Sequence, residues 1–282
     1  MPSSPSSSAQ VAREAVAARL KEIRLDAGLT GLDLAVRCGW HKAKSSRIEN
    51  AKTPPSDADI RAWTQVCGAE DQAADLIAAS RTAESMYMEW KRKQRTGLRR
   101  LQESYIPLYE RTRHFRVYSS DVVPGFLQTP GYATALLSAI TDFRGIPNDV
   151  PEAVEARMAR SHVVRDRHRR FALLVEESVL RYRIGDHETM AGQLGQLLAV
   201  MSLPSVSLGV IPFTASRRMW PLEACYIYDD QLVQVELLTA DVTVRAPSEV
   251  ATYVKAFTQL QALAVYGAKA RALITSAIND LG

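Results

Sequence analysis

Apolar positions recur at helical spacing through the first quarter of the chain. Val16, Leu20, Ile23 and Ala27 fall three or four residues apart, and Gly28 closes the run, which predicts a first helix over about 11–27. Thr30 is placed to cap a second helix with Leu34, Ala35 and Cys38 on its inner side. Gly39 supplies a tight turn, and His41 starts a third helix that turns Ile48 inward. Thr53-Pro54-Pro55-Ser56 breaks the chain, because proline inside a helix loses a hydrogen bond. A fourth helix then carries Ile60, Trp63 and Val66, Gly68 stops it, and a fifth begins near Asp71.

The pattern changes twice further on. Over residues 80–112, Met86, Tyr87, Trp90, Leu98, Leu101 and Tyr105 alternate with basic residues, including Lys91-Arg92-Lys93, Arg95, Arg99 and Arg100. This predicts one long linking helix with an aromatic stripe packed on a neighbour and a solvated basic face, with contact to DNA phosphates or to a dimer partner as the alternatives. From Arg113 onward, short strand-like runs are expected near 114–118, 171–175, 206–211, 224–228, 232–237 and 242–244. Helices are expected after the 122–133 loop to about 140, over 151–169, 187–201 and 248–263, and near 268–278. Asp229-Asp230 reads as a hairpin turn. The helix over 151–169 sets Val154, Met158 and Ser161 on one side and Arg157, Arg160 and Arg165 elsewhere. The fold class is therefore multidomain: an all-α five-helix unit, a linking helix, and an α+β unit. The boundaries are a disordered tail 1–10, 11–79, 80–112 and 113–282.

The third helix carries the most specific pattern. Lys42, Ala43, Ser46 and Arg47 share its outer face, where basic and small residues let a helix enter the major groove. Arg24, Gly28-Leu29-Thr30, Leu34-Ala35, Gly39, Ser46-Arg47-Ile48-Glu49-Asn50 and Pro54 together resemble the Cro/repressor (Xre-type) helix-turn-helix family. That resemblance covers about 11–79 and implies a domain that binds double-stranded operator DNA as a homodimer. Base-edge contact is expected from Lys42 and Arg47, with Ala43 able to meet a thymine methyl; His41, Lys44, Ser46 and Lys52 are expected to position phosphates. The resemblance makes Arg24 and Glu49 a structural ion pair between the first and third helices. Three residues depart from the family pattern: Gly31 where glutamine is frequent, Ser45 at an inward position usually valine or isoleucine, and Ala51 in place of glycine.

Behind it, Val123-Pro124-Gly125-Phe126-Leu127-Gln128-Thr129-Pro130-Gly131-Tyr132-Ala133, Glu155-Ala156-Arg157 and residues 206–213 resemble the C-terminal domain of actinobacterial WhiJ-like, antitoxin-like regulators. Phe126 stands where leucine is common. The resemblance implies a small BldB-like protein partner.

Composition narrows the classes further. The chain has 282 residues, enough for about two domains, and a net charge of +4, which suits a polyanionic partner. Its three cysteines, Cys38, Cys67 and Cys225, have no metal or disulfide spacing, so a cytoplasmic protein is expected. The opening segment lacks the basic start and apolar core of a signal peptide, and no apolar run reaches membrane-spanning length. No phosphate loop, nucleophile elbow or paired metal motif is present, and Glu176 and Glu177 are neighbours that face apart. No catalytic residue, cofactor or metal is expected. The 124–130 loop reads as a strand-to-helix corner, with a pocket wall as its alternative. The function expected is a sequence-specific transcriptional regulator modulated through its C-terminal domain by a protein or a small-molecule effector. The alternative is an antitoxin-like adaptor with weak DNA contact, in which Phe213, Trp220, Tyr226 and Tyr228 form one binding face.

Overall fold

The computed structural model describes residues 5–82, 87–89, 95, 97–238 and 240–281. The chain divides into two compact units, residues 1–87 with 243–250, and residues 88–242 with 251–282.

The first unit contains five helices: α1 (Pro5–Asp26), α2 (Gly31–Arg37), α3 (Lys42–Glu49), α4 (Asp57–Cys67) and α5 (Ala73–Thr82), the last preceded by a 3-10 turn at Glu70–Gln72. The stops are those that left-handed glycines provide, with φ of +69° at Gly28, +68° at Gly39 and +67° at Gly68. Ser56 caps α4 through a reciprocal pair of hydrogen bonds with Asp59. Val16, Leu20, Ile23, Leu34, Ile48 and Ile60 converge on Trp63, whose indole N–H donates to the Leu20 carbonyl at 3.0 Å. That bond removes the cost of burying an indole N–H. The helix α1 begins at Pro5, earlier than the disordered 1–10 tail expected from sequence; proline is accommodated in a first helical turn, where its missing N–H is not needed. Residues 1–4 lie outside the described residues.

One linking helix over 80–112 is not formed. The strand β1 (Tyr87–Glu89) interrupts it, and two short helices, α6 (Arg99–Ser104) and α7 (Ile106–Arg111), follow. Gly97 sets the break. Its φ is +95°, and a Cβ there would lie 2.3 Å from the Asp149 carboxylate, which accepts the Leu98 and Arg99 amides at 2.7 and 2.9 Å. Residues 86, 90 and 91–93 of the expected stripe lie outside the described residues.

The second unit is built on a mixed sheet whose strands lying wholly within it run, in spatial order, Leu232–Glu236, Cys225–Tyr228, His114–Ser119, Arg170–Glu176 and Val206–Ile211. Strands β2 (His114–Ser119), β3 (Arg170–Glu176) and β4 (Val206–Ile211) run parallel. Helices α8 (Pro130–Arg144) and α9 (Val150–Arg160) fill the first crossover, and α10 (Glu177–Arg181) and α11 (His187–Val200) the second. Strand β5 (Cys225–Tyr228) lies antiparallel to β2, followed by β6 (Leu232–Glu236) and β7 (Ala240–Val244). Asp229 and Asp230, with φ of +50° and +55°, make the hairpin turn between β5 and β6. The Asp229 carboxylate also accepts the Arg113 and His114 amides, which fixes where β2 starts. Helices α12 (Pro247–Gln261) and α13 (Gly267–Asn279) close the chain.

The core of this unit is aromatic at one end of the sheet. Phe115 stacks on Phe171 at 4.6 Å, in register across β2 and β3, and Tyr109, Phe126 and Tyr228 meet it edge-on or tilted. The expected helix over 151–169 stops at Arg160 and tightens into a 3-10 turn over Ser161–Arg165.

Candidate nucleic-acid interface

Helices α2 and α3 cross closely because the residues between them are small. Thr30 caps α2: its hydroxyl accepts the Asp33 amide at 3.1 Å, while Asp33 accepts the Thr30 amide at 3.0 Å. The Thr30 hydroxyl also lies 2.5 Å from Asp33 Oδ2, and its hydrogen bond to that oxygen, with the one from the Thr30 amide, holds the Asp33 carboxyl below the usual carboxylate range. Leu34 and Ala35 are buried, and the Trp40 amide donates to the Ala35 carbonyl at 2.7 Å across the Gly39 turn. His41 then caps α3 by accepting the Ala43 amide at Nδ1 at 3.2 Å, an aromatic nitrogen serving where serine or aspartate is usual.

Ser45 explains how a hydroxyl occupies an inward position. It is 2% exposed, and its Oγ lies 3.2 Å from the Gly31 carbonyl and 3.1 Å from the Lys42 carbonyl, so its single proton ties α3 to α2 or to its own first turn. Ile48 is buried beside it. The back of α3 is held by Arg24 of α1. Its Nε and Nη2 meet the two Glu49 oxygens at 2.5 and 3.2 Å, and Nη1 donates to the Leu29 carbonyl at 2.5 Å. Beyond α3, Ala51 adopts φ +53°, the left-handed region in which a Cβ is strained.

The outer face of α3 is then defined. His41, Lys42, Ser46, Arg47 and Lys52 are exposed, with Ala43 half-buried between them. Arg47 folds back along the helix, its Nε donating to the Ala43 carbonyl at 3.2 Å. Lys44 departs from this set: its ammonium is paired with Asp59 at 2.5 Å and sits 4.5 Å above the Trp40 ring. Trp40 and Asp59 were not singled out by sequence pattern. An aromatic directly after a turn glycine and an acid at the third position of α4 were the available signals.

In the second unit the residues of the expected adaptor face separate. Phe213 and Trp220 are 62% and 67% exposed, whereas Tyr228 is buried and Tyr226 half-buried in the sheet. Glu176 and Glu177 serve different partners, Glu176 accepting from Tyr118 and Arg217, Glu177 from Arg181 and the Phe213 amide. No group of His, Cys, Asp or Glu among the described residues is arranged to hold a metal, and no described helix is long and apolar enough to cross a membrane.

A helical hairpin that buries Leu34, Ala35, Ser45 and Ile48 and presents a capped basic helix defines a helix-turn-helix DNA-binding regulator of transcription. Comparison with known families agrees: residues 15–77 match the helix-turn-helix domain, and residues 102–276 match the domain of unknown function DUF5753. The second match spans more than half of the chain, which belongs to the DUF5753 family. No curated protein matches it.

Proposed function

We propose that the protein reads operator DNA through α3 and acts as a homodimeric transcriptional regulator of the Xre type. The observation that supports this most is the face of α3 itself. Among the described residues no carboxylate pairs with Lys42, Arg47 or Lys52, while Lys44 on the same helix is paired inward. Lys42 and Arg47 are assigned to base edges, Ala43 to a thymine methyl, and His41, Ser46 and Lys52 to phosphates. Lys44 serves mainly to fix α3 against α4. The α3 helix is about 12 Å long and reaches only a few base pairs, so two half-sites related by a two-fold axis supply the rest of the specificity. The second unit modulates this activity.

Fluorescence anisotropy on the protein's own upstream DNA and on a scrambled duplex of equal length, across a salt series, tests the reading. Preference for the native duplex that persists as salt rises is expected. Equal binding to both duplexes, vanishing with salt, means charge attraction only and overturns it. A second reading, an antitoxin-like module working through a small BldB-like protein, is favoured by the exposure of Phe213 and Trp220. It predicts a complex that a Trp220→Ala variant no longer forms.

A further inference from the structure

The second unit contains a pocket of about 370 Å³, in the size range of small-molecule sites. Strands β5 and β6 form one wall, α8 and α9 another, and the 124–130 loop contributes Gly125 and Gln128. Leu98, Leu101, Leu136, Leu137 and Ile140 make it largely apolar, and Tyr105, Tyr109, Tyr226 and Tyr228 give it aromatic faces.

Two arginines stand in this surface. Arg157 and Arg160 of α9 are only 9% and 6% exposed, and both line the pocket. Among the described residues their hydrogen-bond partners are neutral amides. Arg157 donates to Gln102 Oε1 at 2.9 Å and Gln128 Oε1 at 2.5 Å, and Arg160 donates to the same Gln102 oxygen at 2.7 Å. The Nε and Nη1 of Arg160 are buried with no hydrogen-bond partner among the described residues. Its guanidinium lies 4.9 Å from both the Tyr105 and Tyr109 rings, which orients it without neutralising it. Burial, with Arg160 alongside, pushes the Arg157 guanidinium down to about 10. Glu236 also lines the pocket; burial and Asp241 push its carboxyl up, while Arg157 and Arg160, too far away for an ion pair, draw it part of the way back down.

Buried guanidiniums without ion-pair partners are costly, and a purely structural cross-brace would be better made by apolar side chains. Such an arrangement is stable and useful when a ligand anion completes it. The lining holds three arginines, Arg144, Arg157 and Arg160, and two carboxylates, Asp121 and Glu236, with Asp241 close enough to act on Glu236. We infer that this pocket binds a small organic acid, one carboxylate on an aromatic or branched apolar body, with the carboxylate seated on Arg157 and Arg160. The acid is the effector of the regulation proposed above; that consequence rests on the DNA-binding reading, whereas the binding itself does not.

The test uses the full chain without DNA. Phenylacetate and octanoate are compared with their neutral amides by calorimetric titration and thermal melting. At least one acid is expected to bind tenfold or more tightly than its amide and to raise Tm by a few degrees at saturation. Arg160→Met is expected to abolish the shift while leaving the unliganded Tm unchanged or higher, since it removes a buried charge. Equal binding of acid and amide, no binding of either acid up to about 10 mM, a concentration at which fragment-sized ligands of ordinary efficiency bind, or undiminished binding in Arg160→Met overturns the inference. Should Arg160→Met not fold, Ile140→Phe decides, because it keeps both arginines and narrows the space: a loss of tenfold or more supports the site, and no loss overturns it. Operator affinity is then measured with and without the bound acid. A change upholds the effector role; an unchanged affinity keeps the pocket and removes that role.

Discussion

Helices α3 and α9 both carry basic side chains, and the two sets meet opposite fates. In α3, Ser45 and Ile48 point inward, and Lys42 and Arg47 fall on the other side, where they are exposed. In α9, Ala153, Arg157 and Arg160 share one stripe at i, i+4 and i+7, so the arginines follow the small residue into the interior. Position relative to the inward stripe, not charge, decides which arginine meets solvent. Arg24 is the third case: it is buried like Arg160 but meets a carboxylate. An exposed arginine is available to DNA, a paired buried one holds helices together, and an unpaired buried one asks for a ligand.

The widest effect in this comparison is expected for Arg24→Ala. Glu49, whose side chain is only 13% exposed, would keep its charge without a counter-ion, and the Leu29 carbonyl would lose its donor. The loss should reach about 3–5 kcal/mol in urea unfolding of the first unit. A loss below about 1 kcal/mol would place the pair among surface ion pairs and break the distinction. Arg47→Ala is expected to do the reverse. It should leave unfolding within about 0.5 kcal/mol of the parent and cost about 1–3 kcal/mol of operator binding, with preference relaxed at one base position. Unchanged affinity and preference would remove Arg47 from the reading face.

Much of this was legible in the sequence, for a physical reason. The strands at 114–119, 170–176 and 206–211 and the helices α8, α9, α11, α12 and α13 are bounded by turn residues and by apolar spacing, both of which are local, whereas the short α10 left no such signal. The break at Gly97 was not legible, because the carboxylate that requires it comes from Asp149, far along the chain. The pocket arginines were missed because a helix rich in arginine reads as solvated, although the spacing from Ala153 through Arg157 and Arg160 to Val164 held the signal. Ala51 shows a local departure with a local outcome. The family pattern has glycine there, and alanine has kept the left-handed turn at φ +53°. Ala51→Gly should therefore stabilise the first unit by about 1 kcal/mol, read as a rise in Tm with operator affinity unchanged; a lower Tm would show that the turn carries no strain.

The smallest effect separates two lysines on one helix. Lys42 is exposed, and among the described residues no carboxylate pairs with it, so Lys42→Met should lower the slope of log affinity against log salt by about one counterion. Lys44 has the same charge two residues on, pointing away from Lys42, but Asp59 already pairs with it and its ammonium sits over the Trp40 ring. Lys44→Met should leave that slope nearly unchanged, because few counterions are released where protein has already supplied the anion. Its stability cost should stay within about 0–1 kcal/mol, as the lysine side chain is 41% exposed and solvent screens the pair. Equal slope changes from the two variants would mean that DNA draws Lys44 away from Asp59. Lys44 would then join Arg47 on the reading face, and pairing in the free protein would no longer tell a scaffold residue from a contact residue.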